Sequence, residues 1–264
     1  MSLVKSNEYL VNIQTVQSSA FRILIESLKD ILTDCNFIID NSGIKLIATD
    51  NSRNVLIHMK LLSENFDYFH CSEKVTLGIN MTNMFKLIKT MGNNDILTLF
   101  LEKDNTNQLG IQLNNKEKCL QTVYKLNLLD IKDDNITIPD AVFETALTLP
   151  SSDFQKIIRD MMNIGTLIEI KSVGSELILN CQGDFACQET NLSETNNGLQ
   201  FSQISPAETP IQGIFSLKYL LLFTKCTNMC NQIHIHIKND YPLVIVYSVA
   251  NLGEIKLCLA PNVA

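Results

Sequence analysis

The chain has 264 residues, 45% of them apolar, enough to build one large domain or two of ordinary size. It carries 28 Asp and Glu against 21 Lys and Arg, a net charge of −7, which speaks against a uniformly basic nucleic-acid binder but leaves room for one whose cations gather on a single surface. No apolar run is long enough to predict a membrane-spanning helix, and the N-terminal MSLVKSNEYLV lacks the apolar stretch of a signal peptide.

From the N-terminus, SSAFRILIESLKDIL (18–32) has helical period. Strand-like runs follow at 36–40, 43–50, 54–61 and 74–79, many of them alternating apolar and polar residues. A second helix is predicted over MTNMFKLIKTM (81–91), then strands at 95–102 and 108–113. The third helix is SSDFQKIIRDMM (151–162), with strands at 167–173 and 176–181. The fourth is IFSLKYLLLFTK (214–225), with strands at 232–238, 242–249 and 254–260. NSG (41–43) and VGS (173–175) read as hairpin turns. SSAF and SSDF offer a Ser as helix N-cap.

Each helix carries a Phe near its start: Phe21, Phe85, Phe154 and Phe215, at intervals of 64, 69 and 61 residues. The chain therefore reads as four copies of a helix followed by strands, two copies to a domain. The boundary falls in YKLNLLDIKDDNITIPDAVF (124–143), whose acidic, turn-rich centre is flanked by Leu and Ile. That mixture suggests a linker held against a sheet rather than a free tether. The expected division is a first domain over 1–125, a linker over 126–142 and a second domain over 143–264.

The apolar face of each helix should cover strands, and the cations fall elsewhere. Arg22 and Lys29 are seven apart, as are Lys218 and Lys225; Lys86 and Lys89 are three apart, as are Lys156 and Arg159. One such pair would be an ordinary solvated helix face. Four pairs in an acidic chain point to a shared basic surface, and duplex DNA is the polyanion that suits it.

The eight cysteines are scattered without a CxxC and interrupt apolar runs, as at Cys119, Cys181 and Cys258; reduced core thiols are expected. Cys226 and Cys230 lack a second ligand pair, and His234 and His236 share one strand face without a third ligand. No metal or other cofactor is expected. There is no phosphate-binding Gly loop, GxSxG or HExxH, and Asp40 and Asp50 sit at strand–turn ends where Asp is usual. No enzyme activity is expected.

ESLKDIL, DNSGIKLIATDNS, MTNMFKLIKTMGNNDILTL, IRDMMNIG, YLLLFTK and YPLVIVYSVANLGEIKLCLAP, in order from Tyr9 to Pro261, resemble the sliding clamps of the proliferating cell nuclear antigen (PCNA) family. The resemblance implies an α+β DNA clamp fold: two similar domains, each with two helices packed on antiparallel sheets, forming a ring. Three subunits would close head to tail as a homotrimer, with the helices lining a hole for double-stranded DNA bound without sequence preference. Such a ring is a processivity factor that tethers DNA polymerase and other replication and repair proteins, has no catalytic activity, and is opened by an ATP-dependent clamp loader. It would work in the nucleus, or at a host-cell replication site if viral.

By position, Lys29, Lys86, Lys89, Arg159 and Lys225 match the family's channel cations. Arg22, Lys156 and Lys218 match less uniformly basic places, and Ile23 stands where Lys is frequent. The strands at 117–125 and 185–193 match the edges that join subunits. The partner-peptide site maps to Thr49, Leu56, Ile136, Ile138, Pro139, Phe143, Pro242, Cys258, Ala260 and Pro261. Thr49 and Cys258 replace a usual Met and Tyr, which shrinks the apolar lining. Gly174 falls near a Lys that is modified in many members, with Lys171 the nearest substitute. The alternative is a subunit of a heterotrimeric checkpoint-type clamp.

Overall fold

The computed structural model describes residues 8–132, 136, 141–204 and 210–262. Two compact units divide the chain. The first takes in residues up to Ala48, His58–Ile136 and Val249–Glu254; the second takes in Thr49–Ile57, Thr137–Ser248 and from Ile255 on.

The first unit opens with β1 (Tyr9–Thr15), α1 (Ser18–Leu28), β2 (Asp34–Asp40), β3 (Gly43–Thr49), β4 (Val55–Leu62) and β5 (Tyr68–Cys71). The pattern repeats with β6 (Val75–Asn80), α2 (Met81–Ile88), β7 (Ile96–Glu102), β8 (Asn105–Asn115) and β9 (Leu120–Asn127). In the second unit come β10 (Thr145–Pro150), α3 (Ser151–Met162), β11 (Leu167–Val173), β12 (Glu176–Gln182), β13 (Cys187–Ser193) and β14 (Gln200–Gln203). Last are β15 (Ile211–Ser216), α4 (Leu217–Phe223), β16 (Gln232–Ile237), β17 (Leu243–Val249) and β18 (Gly253–Leu259).

The repeating module is thus strand, helix, then strands. Within each unit the two modules exchange their leading strands. β1 pairs antiparallel with β7, Ile13 opposite Leu99, in the sheet β5-β1-β7-β8-β9. β6 pairs with β2, Phe37 opposite Leu77, in the run β4-β3-β2-β6. The second unit does the same: β10 pairs with β16, and β15 with β11. Neither module can complete its sheet without the other, so a unit holds two modules as one core.

That core forms because alternation in the strands and a three-to-four period in the helices aim apolar side chains the same way. Phe21, Leu24, Ile25 and Leu28 of α1 are buried with Met81, Met84 and Ile88 of α2. In the second unit the buried set is Phe154, Ile158 and Met161 of α3 with Leu217, Leu220 and Phe223 of α4. Each such side chain contributes about 1.5–3 kcal/mol by leaving water.

Several expectations need correction. Helix α3 covers the predicted span, but α4 begins three residues late, because Ile214 and Phe215 are strand residues of β15, opposite Glu169 and Ile168. Phe215 therefore does not mark a helix start. Ser18 and Ser151 are the first helical residues rather than N-caps; Gln17 and Pro150 hold the cap positions without a side-chain cap bond. Cys119 is not a core thiol but exposed, in a turn with φ 48°. Cys35, Cys71, Cys181 and Cys226 are buried as expected.

The chain leaving β9 is fastened to the first unit. Leu129 donates its backbone N–H to Gly78 of β6 at 2.8 Å, and Asn36 donates to the Ile131 carbonyl at 3.1 Å. A Cβ on Gly78 would sit 2.1 Å from the Leu129 oxygen, so only glycine allows this approach.

Candidate nucleic-acid interface and partner sites

Two helices display their cations identically. Along residues 81–90 and 151–160 the order of burial is the same at every position. The first, fourth and eighth residues are buried: Met81, Met84 and Ile88 in one, Ser151, Phe154 and Ile158 in the other. The sixth and ninth are exposed, Lys86 and Lys89 against Lys156 and Arg159. Apolar residues one turn apart fix one stripe inward, and the cations follow on the solvent side.

Helix α4 presents Lys218 exposed at its second position, its ammonium 5.7 Å from the centroid of the Tyr219 ring. Lys225, exposed at the ninth place, lies in the 3-10 turn Thr224–Met229 rather than in the helix. Helix α1 differs. Its sixth and ninth residues are Ile23 and Glu26, and its two cations are half-buried and engaged. Arg22 donates from Nη1 to the Met91 carbonyl at 2.9 Å and from Nη2 to Asn93 Oδ1 at 3.3 Å. Lys29 caps the C-terminus of α1, with its ammonium 2.8 Å from Asp30 and 4.9 Å from the centroid of the Phe85 ring.

The expected peptide-site residues fall as follows. Ala260 N–H bonds to the Asn54 carbonyl and Leu62 N–H to Leu252, a constant register that sets Cys258 opposite Leu56. Asp50 N–H bonds to Val55 and Ser63 N–H to Ser42, which sets Leu56 opposite Thr49. Thr49, Leu56 and Cys258 thus form a row across three strands, all half-exposed on one face of the second unit. Burial pushes the Cys258 thiol up to about 11, with Lys256 pulling the other way. Pro242 heads β17, while Ala260 and Pro261 trail β18, its hairpin partner. The Phe143 ring packs edge-on against Tyr241 at 5.6 Å and against His236 at 5.2 Å. Ile136 is half-buried and belongs to the first unit. Ile138 and Pro139 lie outside the described residues.

Sequence reading placed a turn after Asp50 but missed what the turn holds. Burial works against the charge of Asp50, yet hydrogen bonds from Ser52, Val55 and Asn54 hold its pKa below the usual carboxylate value. Ser52 and Asn54 also meet the Tyr219 hydroxyl, at 2.6 and 3.1 Å, which ties the turn to α4. The signal was present as DNSRN, a run of turn formers.

The strands expected to make a subunit joint are both sheet edges. β9 ends the sheet β5-β1-β7-β8-β9, and β13 ends the sheet β13-β12-β11-β15. Leu120 and Val123 on β9, and Phe185 just before β13, are exposed apolar residues. Bare edges with apolar side chains invite pairing with another strand. His234 and His236 share a face of β16 as expected, and among the described residues no cluster of His, Cys, Asp or Glu could hold a metal ion.

Paired modules with exchanged strands, basic pairs on helices and two bare sheet edges define an α+β clamp fold. Residues 10–135 match the family model described as "Proliferating cell nuclear antigen, N-terminal domain", and residues 137–262 match "Proliferating cell nuclear antigen, C-terminal domain". The chain belongs to the proliferating cell nuclear antigen family. It is 34% identical over 257 residues to a probable DNA polymerase sliding clamp 1 of Paramecium bursaria Chlorella virus 1, covering 96% of this chain and 97% of the relative. It is 31% identical over 253 residues to the proliferating cell nuclear antigen of Chaetomium thermophilum, covering 94% and 96%.

Proposed function

We infer that the protein is a DNA sliding clamp, a non-catalytic processivity factor that encircles duplex DNA and tethers DNA polymerase. The matched basic pairs of α2 and α3 carry this reading: a repeated helix in an acidic chain keeps its cations exposed at the same two positions. The names of both relatives favour a polymerase clamp over a subunit of a heterotrimeric checkpoint clamp.

The mechanism is topological. Enclosure supplies retention, so each contact can be weak. Lys86, Lys89, Lys156, Arg159, Lys218 and Lys225 supply a screened attraction to phosphates that carries no sequence information. At physiological salt that attraction decays over about 8 Å, so the ring stays near the duplex axis without locking to a base step. Lys29 contributes less than these six, since Asp30 at 2.8 Å matches its charge.

Ring closure uses β9 of one subunit against β13 of the next, a head-to-tail contact that returns on itself after three copies. An ATP-dependent loader opens the ring, and the site of action is the nucleus or, for a virus, the host replication site. Partners dock a short peptide on the row Thr49, Leu56 and Cys258, beside Phe143 and Pro242. Thr49 and Cys258 leave more room there than Met and Tyr would. Light scattering of the purified chain tests the assembly: three times the 29.7 kDa chain mass is expected, and a monomer at all concentrations would overturn the homotrimer.

A further inference from the structure

Arg22 and Gln155 hold the same place in their units. Each is the fifth residue of the first helix, counted from Ser18 and from Ser151. Each reaches past the second helix to a backbone carbonyl. Arg22 Nη1 donates to Met91 at 2.9 Å, just after α2, and Gln155 Nε2 donates to Thr224 at 2.8 Å, just after α4. The serines at the first positions repeat the arrangement. Ser18 Oγ donates to Gly92 at 3.4 Å, and Ser151 Oγ lies 2.6 Å from the Cys230 carbonyl and 3.3 Å from that of Thr227.

We propose that Arg22 is a positioning residue that latches the end of α2 to α1, not a phosphate contact, and that Gln155 is its uncharged counterpart for α4. In the second unit a neutral amide fills this place, so the place calls for an N–H donor and not a charge. A guanidinium has a fixed fork of donors, and in Arg22 two of its nitrogens are aimed at Met91 and Asn93. Lys89 stands two residues before Met91, and its backbone N–H bonds to the Phe85 carbonyl, so the latched segment continues directly from it. Arg22 spends its donors on this segment rather than on a phosphate.

The DNA arm of this inference rests on the sliding-clamp reading; the latch itself does not. Two measurements separate them. Hydrogen exchange on the whole protein reads the latch at the amides of Met91 and Gly92, which bond to the Ile88 carbonyl and Asp95 Oδ2. Arg22→Ala should speed both by about tenfold or more, since a charge-assisted bond to a carbonyl is lost. Arg22→Gln, which drops the charge but keeps an N–H donor as Gln155 does in the second unit, should leave both rates near the parent's. Rates unchanged by Arg22→Ala, or raised as much by Arg22→Gln, would overturn the latch.

Fluorescence anisotropy of a labelled duplex against NaCl reads phosphate contacts. Arg22→Ala and Arg22→Lys should leave the slope of log K against log salt where it is, while Lys89→Gln lowers it by about 0.9 per contact removed. A slope lowered by Arg22→Ala and restored by Arg22→Lys would make Arg22 a phosphate contact and overturn the assignment. A slope unmoved by Lys89→Gln would count against the DNA reading, and the exchange result would still decide the latch.

Discussion

Lys89 and Arg159 hold equivalent positions: each is the ninth residue from its helix start, each is exposed, and each has an exposed Lys three residues earlier, Lys86 and Lys156. Substituting Lys86 and Lys89 by Gln together should cost less than about 0.5 kcal/mol of stability, as exposed positions do. The same change should flatten the salt dependence of duplex binding. Thermal melting and anisotropy titrations on one preparation check both halves; a flattened slope with an unchanged melting temperature is expected.

Gly78 to Val should loosen the start of the linker. The new side chain would press on the Leu129 carbonyl, which is backbone and cannot turn aside. Overpacking of this kind costs about 1–3 kcal/mol, or several degrees of melting temperature by calorimetry. Faster exchange of the Leu129 amide should accompany it, and an unchanged melting temperature would contradict the close approach.

These two cases show what the sequence made legible. The Lys86/Lys89 and Lys156/Arg159 pairs could be read at once, because helical period alone fixes which residues share a face. Helix α3 was equally plain, since Ser151 opens it and Phe154, Ile158 and Met161 mark one stripe. The start of α4 was hidden because IFSLKYLLLF has no Gly, Pro or other breaker, so the alternation of β15 runs into the helix without a break. Pairing of Phe215 with Ile168 settles it, and that is tertiary. Arg22 was legible as a cation but not as a latch, because Met91 and Asn93 lie far along the chain. The exchange of β1 and β6 between modules left no local mark either.

Asp40 should make acid stability pH-dependent in a definite direction. Hydrogen bonds from Lys45, at 2.8 Å, and then from Ser42 lower its pKa to about 2. An unfolded Asp titrates near 3.9. The lowered folded value means the contribution is complete above about pH 4 and is lost as pH falls through 2. Solvent screening at this quarter-exposed side chain keeps it to about 1 kcal/mol. Asp40→Asn should therefore destabilise at pH 7 and match the parent near pH 1.5; urea melts at both values check it.

Thiol labelling should report the subunit joint. Cys119 and Cys187 are exposed beside and on the two edge strands, whereas burial pushes Cys35 up to about 12. A maleimide should modify Cys119 and Cys187 first in dilute protein. It should react with them about tenfold more slowly at concentrations that favour assembly, as edge pairing covers them. Equal rates at both concentrations would place the joint elsewhere.

Retention on circular DNA tests the topological claim most directly. After loading onto a nicked circle, the protein should stay bound through gel filtration in high salt and be lost once the circle is cut to a linear molecule. Equal retention on circular and linear DNA, or none on either after successful loading, would contradict the claim that this chain holds DNA by encircling it.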